Sequence, residues 1–197
     1  MPIQAVSYPQ TALLLNSADA LASEIDEVKM IRDARSNAVV VPLIIFSIFF
    51  PALSALSSIR RIGGHCSQIF DRNLQIEVLR KRQKEVEEEL KEQPKLLEKI
   101  KRVYDRQIQL YNHMKDRQKV MLAGAVLLGG GCAHHLHTNP IADLVGFAMP
   151  TASIAAGVAG FGFLEGIINS SEGYKDLNNL LKESIAEAKE ALGMATA

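Results

Sequence analysis

The sequence predicts an all-α integral membrane protein with about three transmembrane helices and an antiparallel, coiled-coil-like helical hairpin between the first and the second. Three observations lead there. Apolar residues are gathered into blocks instead of being spread periodically along the 197 residues. A long charged stretch with a heptad register separates the blocks. Small residues recur every fourth position in the later blocks.

The N-terminal segment, 1–36, opens with Met1 to Ala18, which carries no charged side chain. It lacks the basic region of a secretory signal peptide, so no cleaved signal is expected. Ser17 reads as the cap of a helix running to about Arg35, with Leu21, Ile25 and Val28 on one face.

Residues 37–59, Asn37 to Ile59, contain no charge and form the strongest candidate span, since a bilayer needs about 20 apolar residues. Its 13 Val, Leu, Ile and Phe residues favour insertion by about 4 to 8 kcal/mol before Ser and Pro penalties. Pro42 and Pro51 bend it. Basic residues flank both ends, Lys29, Arg32 and Arg35 before and Arg60, Arg61 and Arg72 after. A hairpin entering and leaving one face therefore remains an alternative.

Net charge is zero, yet segment 60–119 holds 16 basic and 10 acidic residues while 120–169 holds no basic and 2 acidic ones. A basic stretch between membrane blocks marks the cytoplasmic side, where the C-terminus is also expected. Its 10 acids argue against nucleic-acid binding. Gly63 and Gly64 are expected to interrupt the chain before the helical region. Heptad position a falls at Ile76, Gln83, Leu90, Leu97, Tyr104 and Tyr111, and d at Leu79, Val86, Gln93, Ile100, Gln107 and Met114, so 9 of 12 seam positions are apolar. Pro94 suits the first turn of a second helix. Two arms, Cys66 to Glu92 and Lys95 to Lys119, then fold back on each other near it.

Segment 120–166 reads as a Gly/Ala-rich hairpin. A marginal span starts at Val120, and Thr138, Asn139, Pro140 and Asp143 resemble the start of a third, Leu144 to Leu164. The ladders Ala125, Gly129, Ala133 and Ala148, Ala152, Ala156, Gly160 allow close backbone approach, either within a tight hairpin or in a homo-oligomer. In segment 167–197, Leu177, Leu181, Ile185, Ala188 and Leu192 line one stripe of a last helix, with Gly193 as its stop. That helix is expected to pack on the hairpin or lie on lipid.

No catalytic pattern emerges, and no cofactor is expected. His134, His135 and His137, beside Cys132, read as a polar turn at the membrane boundary, with metal ligation the alternative because His134 and His137 share a face. Gly129, Gly130 and Gly131 lack the Lys-Ser/Thr of a phosphate loop. Cys66 lies within reach of S-palmitoylation, a plain free thiol being the alternative. Asp143 and Glu165 fall at predicted span ends, where interfacial solvation suits them better than an ion path.

The lobes Val120 to Leu136 and Leu144 to Leu164, joined by His137 to Asp143, resemble the bilobed hydrophobic hairpin of chlamydial inclusion membrane proteins. The resemblance is one of layout, covers about a quarter of the chain, and departs from the simplest two-span pattern by the extra span at 37–59. It implies type III secretion, insertion into a vacuole membrane, and helical parts that recruit host proteins. The residues themselves point to a non-enzymatic membrane-anchored scaffold that binds the lipid bilayer and, through its 66–119 helices, a protein partner. An oligomeric pore or translocator subunit is the alternative.

Overall fold

The computed structural model describes residues 8–26, 51–138 and 173–193, all of them helical apart from short turns. Among the described residues there are four helices: α1 (9–26), α2 (Pro51–Glu89), α3 (Pro94–Thr138) and α4 (Gly173–Ala191). The described residues contain no strand. Contacts divide the chain into two units. Unit 1 takes residues 1–30, 72–114 and 172–197, and unit 2 takes 31–71 and 115–171.

α1 begins at Pro9, eight residues before the expected cap, and Ser17 lies inside it with its hydroxyl donating to the Leu14 carbonyl at 2.7 Å. Proline suits a first helical position because its missing N–H has no partner there anyway. Leu14, Leu15, Ala18, Leu21, Ala22 and Ile25 then form one buried stripe. The predicted continuation to Arg35, with Val28, lies outside the described residues.

α2 runs without a break through Gly63 and Gly64, where an interruption is expected from the sequence. Paired glycines cost about 2 kcal/mol relative to alanine in a helix interior. The rest of a 39-residue helix outweighs that, because each further residue adds a hydrogen bond once the helix is nucleated. α3 is likewise continuous across Lys119 and Val120. Among the described residues, one helix, Pro94–Thr138, is long and apolar enough to cross a membrane by length and composition. Of the predicted first span, 37–50 lie outside the described residues and 51–59 belong to α2. The third span, Leu144 to Leu164, lies outside them altogether.

The turn between α2 and α3 occupies Leu90 to Gln93. The Gln93 N–H donates to the Leu90 carbonyl at 2.8 Å, and the Gln93 carbonyl accepts the Leu97 N–H at 2.9 Å, so Gln93 caps a helix whose first residue is Pro94. At the other end of the chain Gly193 takes φ 67°, the left-handed stop after α4 that glycine adopts without a Cβ penalty.

Unit 1 is a bundle of four helices with antiparallel neighbours. Gln10 and Thr11 of α1 meet Glu89 of α2, while Glu24 meets Arg72. Glu87 of α2 pairs with Lys101 of α3 at 3.0 Å, and Arg72 lies 5.6 Å above the Tyr111 ring. Arg102 of α3 reaches Glu187 of α4 at 3.5 Å, and α4 closes the ring through Lys189 with Asp19 and Lys182 with Asp26.

The heptad seam supplies Leu79, Val86, Leu90, Ile100 and Tyr104 to the core. α3 adds Leu96, Val103 and Leu110, one position before each a residue. This second row widens the apolar stripe of α3 so that it faces more than one neighbour, which a bundle requires and a two-helix pair does not. α4 contributes Leu181, Ile185, Ala188 and Leu192.

In unit 2, Gly129 of α3 passes so close to α2 that a Cβ built on it would lie 2.9 Å from Ser58 Cβ. His65 Nδ1 lies 2.8 Å from Gln118 Oε1 and donates to it. The helices are therefore antiparallel here as well.

Candidate functional site

Unit 1 is held by polar contacts at both ends and in its middle. At the turn end, the Glu89 carboxylate accepts from the backbone N–H groups of Gln10 at 3.1 Å and Thr11 at 2.8 Å, and from the Thr11 hydroxyl at 2.7 Å. The first N–H groups of a helix have no partner inside it, and the helix dipole favours an anion there. Glu89 thus caps α1 from a different helix. Gln93 donates to the Tyr8 hydroxyl beside it.

At the opposite end, Arg72 donates to Gln75 at 2.8 Å and to Glu24 at 3.1 Å while covering Tyr111. The Asn178 amide, buried on α4, donates to Asp26 Oδ1 at 3.0 Å and to the Ala22 carbonyl at 3.3 Å. In the middle, buried Gln107 donates to Ser17 at 3.4 Å. The Tyr104 hydroxyl and Gln107 Oε1 are buried without a hydrogen-bond partner among the described residues. Burial raises the Tyr104 and Tyr111 phenols above their ordinary value, Arg72 offsetting part of the rise at Tyr111. A shallow cavity of about 560 Å³ at the turn end is lined by Gln93, Pro94, Lys95, Leu96, Lys99 and Ala191.

The described part of unit 2 has the opposite chemistry. Its buried positions include Ser54, Ser58, Gly124, Ala125, Cys132 and His135, with Leu128 the one large aliphatic among the described buried residues. Five of its large aliphatic side chains are exposed, Leu53, Leu56, Ile59, Val126 and Leu127, with Leu56 at 64 % and Ile59 at 65 %. Ala125 and Gly129 lie where α3 meets its neighbours, Ala125 buried and Gly129 against Ser58, whereas Ala133 is exposed and lies off that face. Ala148, Ala152, Ala156 and Gly160 lie outside the described residues.

The histidines divide, His135 buried and His134 and His137 exposed. No group of three metal-ligating side chains occurs among the described residues. Cys66 is an exposed free thiol and Cys132 a buried one. Asp143 and Glu165 lie outside the described residues. Arg72, Glu89, Gln107 and Asn178 carry much of unit 1's polar organisation, yet the partners they reach on other helices lie 48 to 156 positions away in sequence. No local signal announces such pairs. No protein-family model, curated protein or solved structure matches the chain.

Proposed function

We propose that the chain is a non-enzymatic, multi-pass membrane protein in which unit 2 is the anchor and unit 1 is a water-facing helical scaffold for a protein partner. The carrying observation is the reversal of side-chain chemistry between the units. Unit 1 buries Leu, Ile and Val and surrounds them with ion pairs, the arrangement that water drives, with each buried Leu or Ile worth about 1.5–3 kcal/mol. The described part of unit 2 buries serine, glycine, alanine, cysteine and histidine with a single leucine, and its outward Leu56 and Ile59 are more exposed than any of Leu13, Leu74, Val78 and Leu180 on the surface of unit 1. Water penalises that arrangement, while lipid accepts it, because helices in a bilayer associate through small and hydrogen-bonding side chains.

The antiparallel register in unit 2 adds support. Arg60 and Arg61 on α2, and Lys119 on α3, fall between the same two contacts, Ser58 with Gly129 and His65 with Gln118. The charged-to-apolar boundaries of the two helices thus both fall within the stretch bounded by these contacts, on one side of the apolar segments, as a single membrane face requires. On this reading the heptad arms form a coiled-coil-like hairpin completed by α1 and α4. The layout resemblance extends the proposal to a pathogen-modified vacuole membrane with unit 1 in the host cytosol.

Proximity labelling from a biotin ligase fused to the C-terminus tests the scaffold role. The expected result is a reproducible set of proteins from the cytosolic side that is lost when surface residues of unit 1 are replaced. Labelling confined to lumenal proteins would contradict it.

A further inference from the structure

We propose that unit 2 carries an anionic-phospholipid binding belt, built by Arg60 and Arg61 of α2 with Lys115, Arg117 and Lys119 of α3. The proposal rests on the membrane reading and adds to it a ligand class, the negatively charged headgroup, and the residues that select it.

The bond from His65 to Gln118 and the approach of Gly129 to Ser58 fix α2 and α3 side by side. In this antiparallel register Arg60, Arg61 and Lys119 fall between the two contacts and Lys115 and Arg117 within one turn beyond Gln118, with two carboxylates, Asp71 and Asp116, within 60–71 and 115–119. Asp116 is engaged by Lys119 at 2.8 Å, and the five cations against two carboxylates leave this stretch with a net charge of +3.

Arg60 is exposed and directly follows Ile59, one of the outward aliphatics. An acyl chain lying along Leu56 and Ile59 therefore brings its own headgroup to the guanidinium. Arginine forms paired hydrogen bonds with a phosphate, and long basic side chains keep their stems on apolar surface while the charge reaches the interface. The edge is also one-sided. Beyond Lys119, α3 has no Lys or Arg to its end at Thr138, where it carries His134, His135 and His137 instead. The cations thus mark one face for anionic lipid and leave the other without it.

The test uses the full chain in phosphatidylcholine vesicles containing trace chain-labelled phosphatidylserine or phosphatidylcholine, with electron spin resonance reporting the motionally restricted lipid. The wild type is expected to prefer phosphatidylserine several-fold, on the order of fivefold for each cation that meets a headgroup. The preference should weaken at high salt. Arg60→Gln with Arg61→Gln and Lys115→Gln should remove most of it, whereas Lys95→Gln with Lys99→Gln, in unit 1, should leave it intact. Equal restriction of both lipids by the wild type, or a preference untouched by the triple variant, overturns the belt while leaving the anchor standing. No restricted lipid of either kind overturns the anchor and the belt together.

Discussion

The Glu89 carboxylate of α2 accepts both the backbone N–H and the hydroxyl of Thr11 in α1, at 2.8 and 2.7 Å, across 78 positions of sequence. It supplies to α1 the cap that the residues before Pro9 would otherwise have to provide. Glu89→Ala is expected to destabilise unit 1 by about 1–2 kcal/mol, the range of a lost helix cap. Thermal unfolding followed by circular dichroism measures this. Combined with Thr11→Ala the loss should fall short of the sum of the single effects, because the two changes remove one interaction. Additive losses would mean that the hydroxyl–carboxylate bond contributes nothing.

Gly129 and Gly130 adjoin in α3 but meet different surroundings: a Cβ at 129 would press on Ser58, while one at 130 meets nothing within 4 Å. Gly129→Ala should therefore destabilise unit 2 by about 1–3 kcal/mol through overpacking. Gly130→Ala should be neutral or stabilising by up to about 1 kcal/mol from helix propensity. Ser58→Gly should restore the Gly129→Ala variant. Equal behaviour of the two alanine variants in a detergent-stability assay would contradict the packing described.

Tyr104 and Tyr111 lead to an alkaline prediction. Burial raises both phenols above the ordinary 10.0, so above that pH the unfolded chain releases protons that the folded chain still holds. Their contribution is full below pH 10 and is lost as pH rises through the raised folded values. The double replacement by phenylalanine should flatten the alkaline limb of a stability–pH curve. Tyr104→Phe alone should be tolerated near neutrality, since its buried hydroxyl has no hydrogen-bond partner among the described residues.

Asn178 fastens α4 to α1 by donating to Asp26 and to the Ala22 carbonyl. Asn178→Asp replaces a donor with a carboxylate facing another carboxylate and should loosen α4 more than Asn178→Ala does. Limited proteolysis of the C-terminal region is the readout. Greater protection in the aspartate variant would show that the amide is not the fastening group.

The sequence disclosed what local periodicity encodes. The seam residues Leu79, Val86, Leu90, Ile100 and Tyr104 are buried, Pro94 begins α3, and Leu181, Ile185, Ala188 and Leu192 form the buried stripe of α4. Leu96, Val103 and Leu110 were equally legible as a second row seven apart, and they are what distinguishes a four-helix core from a two-helix pair. The start of α1 carries a local mark, Pro9, but its cap does not, because Glu89 is 78 positions from Thr11. Gly63 and Gly64 misled because a local propensity of about 1 kcal/mol per residue yields to the cooperativity of a long helix. The face of α3 that meets α2 is set by Ser58 opposite Gly129, a pairing 71 positions apart that the four-residue ladder does not contain; along that ladder Ala125 is buried and Ala133 exposed.

The membrane reading is tested most directly at Leu56, a side chain that the fold leaves 64 % exposed and that the proposal places against lipid. Leu56→Cys, in a chain whose Cys66 and Cys132 are replaced by serine, is treated in intact membranes with a membrane-impermeant maleimide. Val78→Cys, 50 % exposed in unit 1, serves as the water-facing comparison. The account predicts rapid labelling at position 78 from the cytoplasmic side and none at position 56 from either side. Labelling of position 56 as fast as position 78 would show water on that surface and contradict the account.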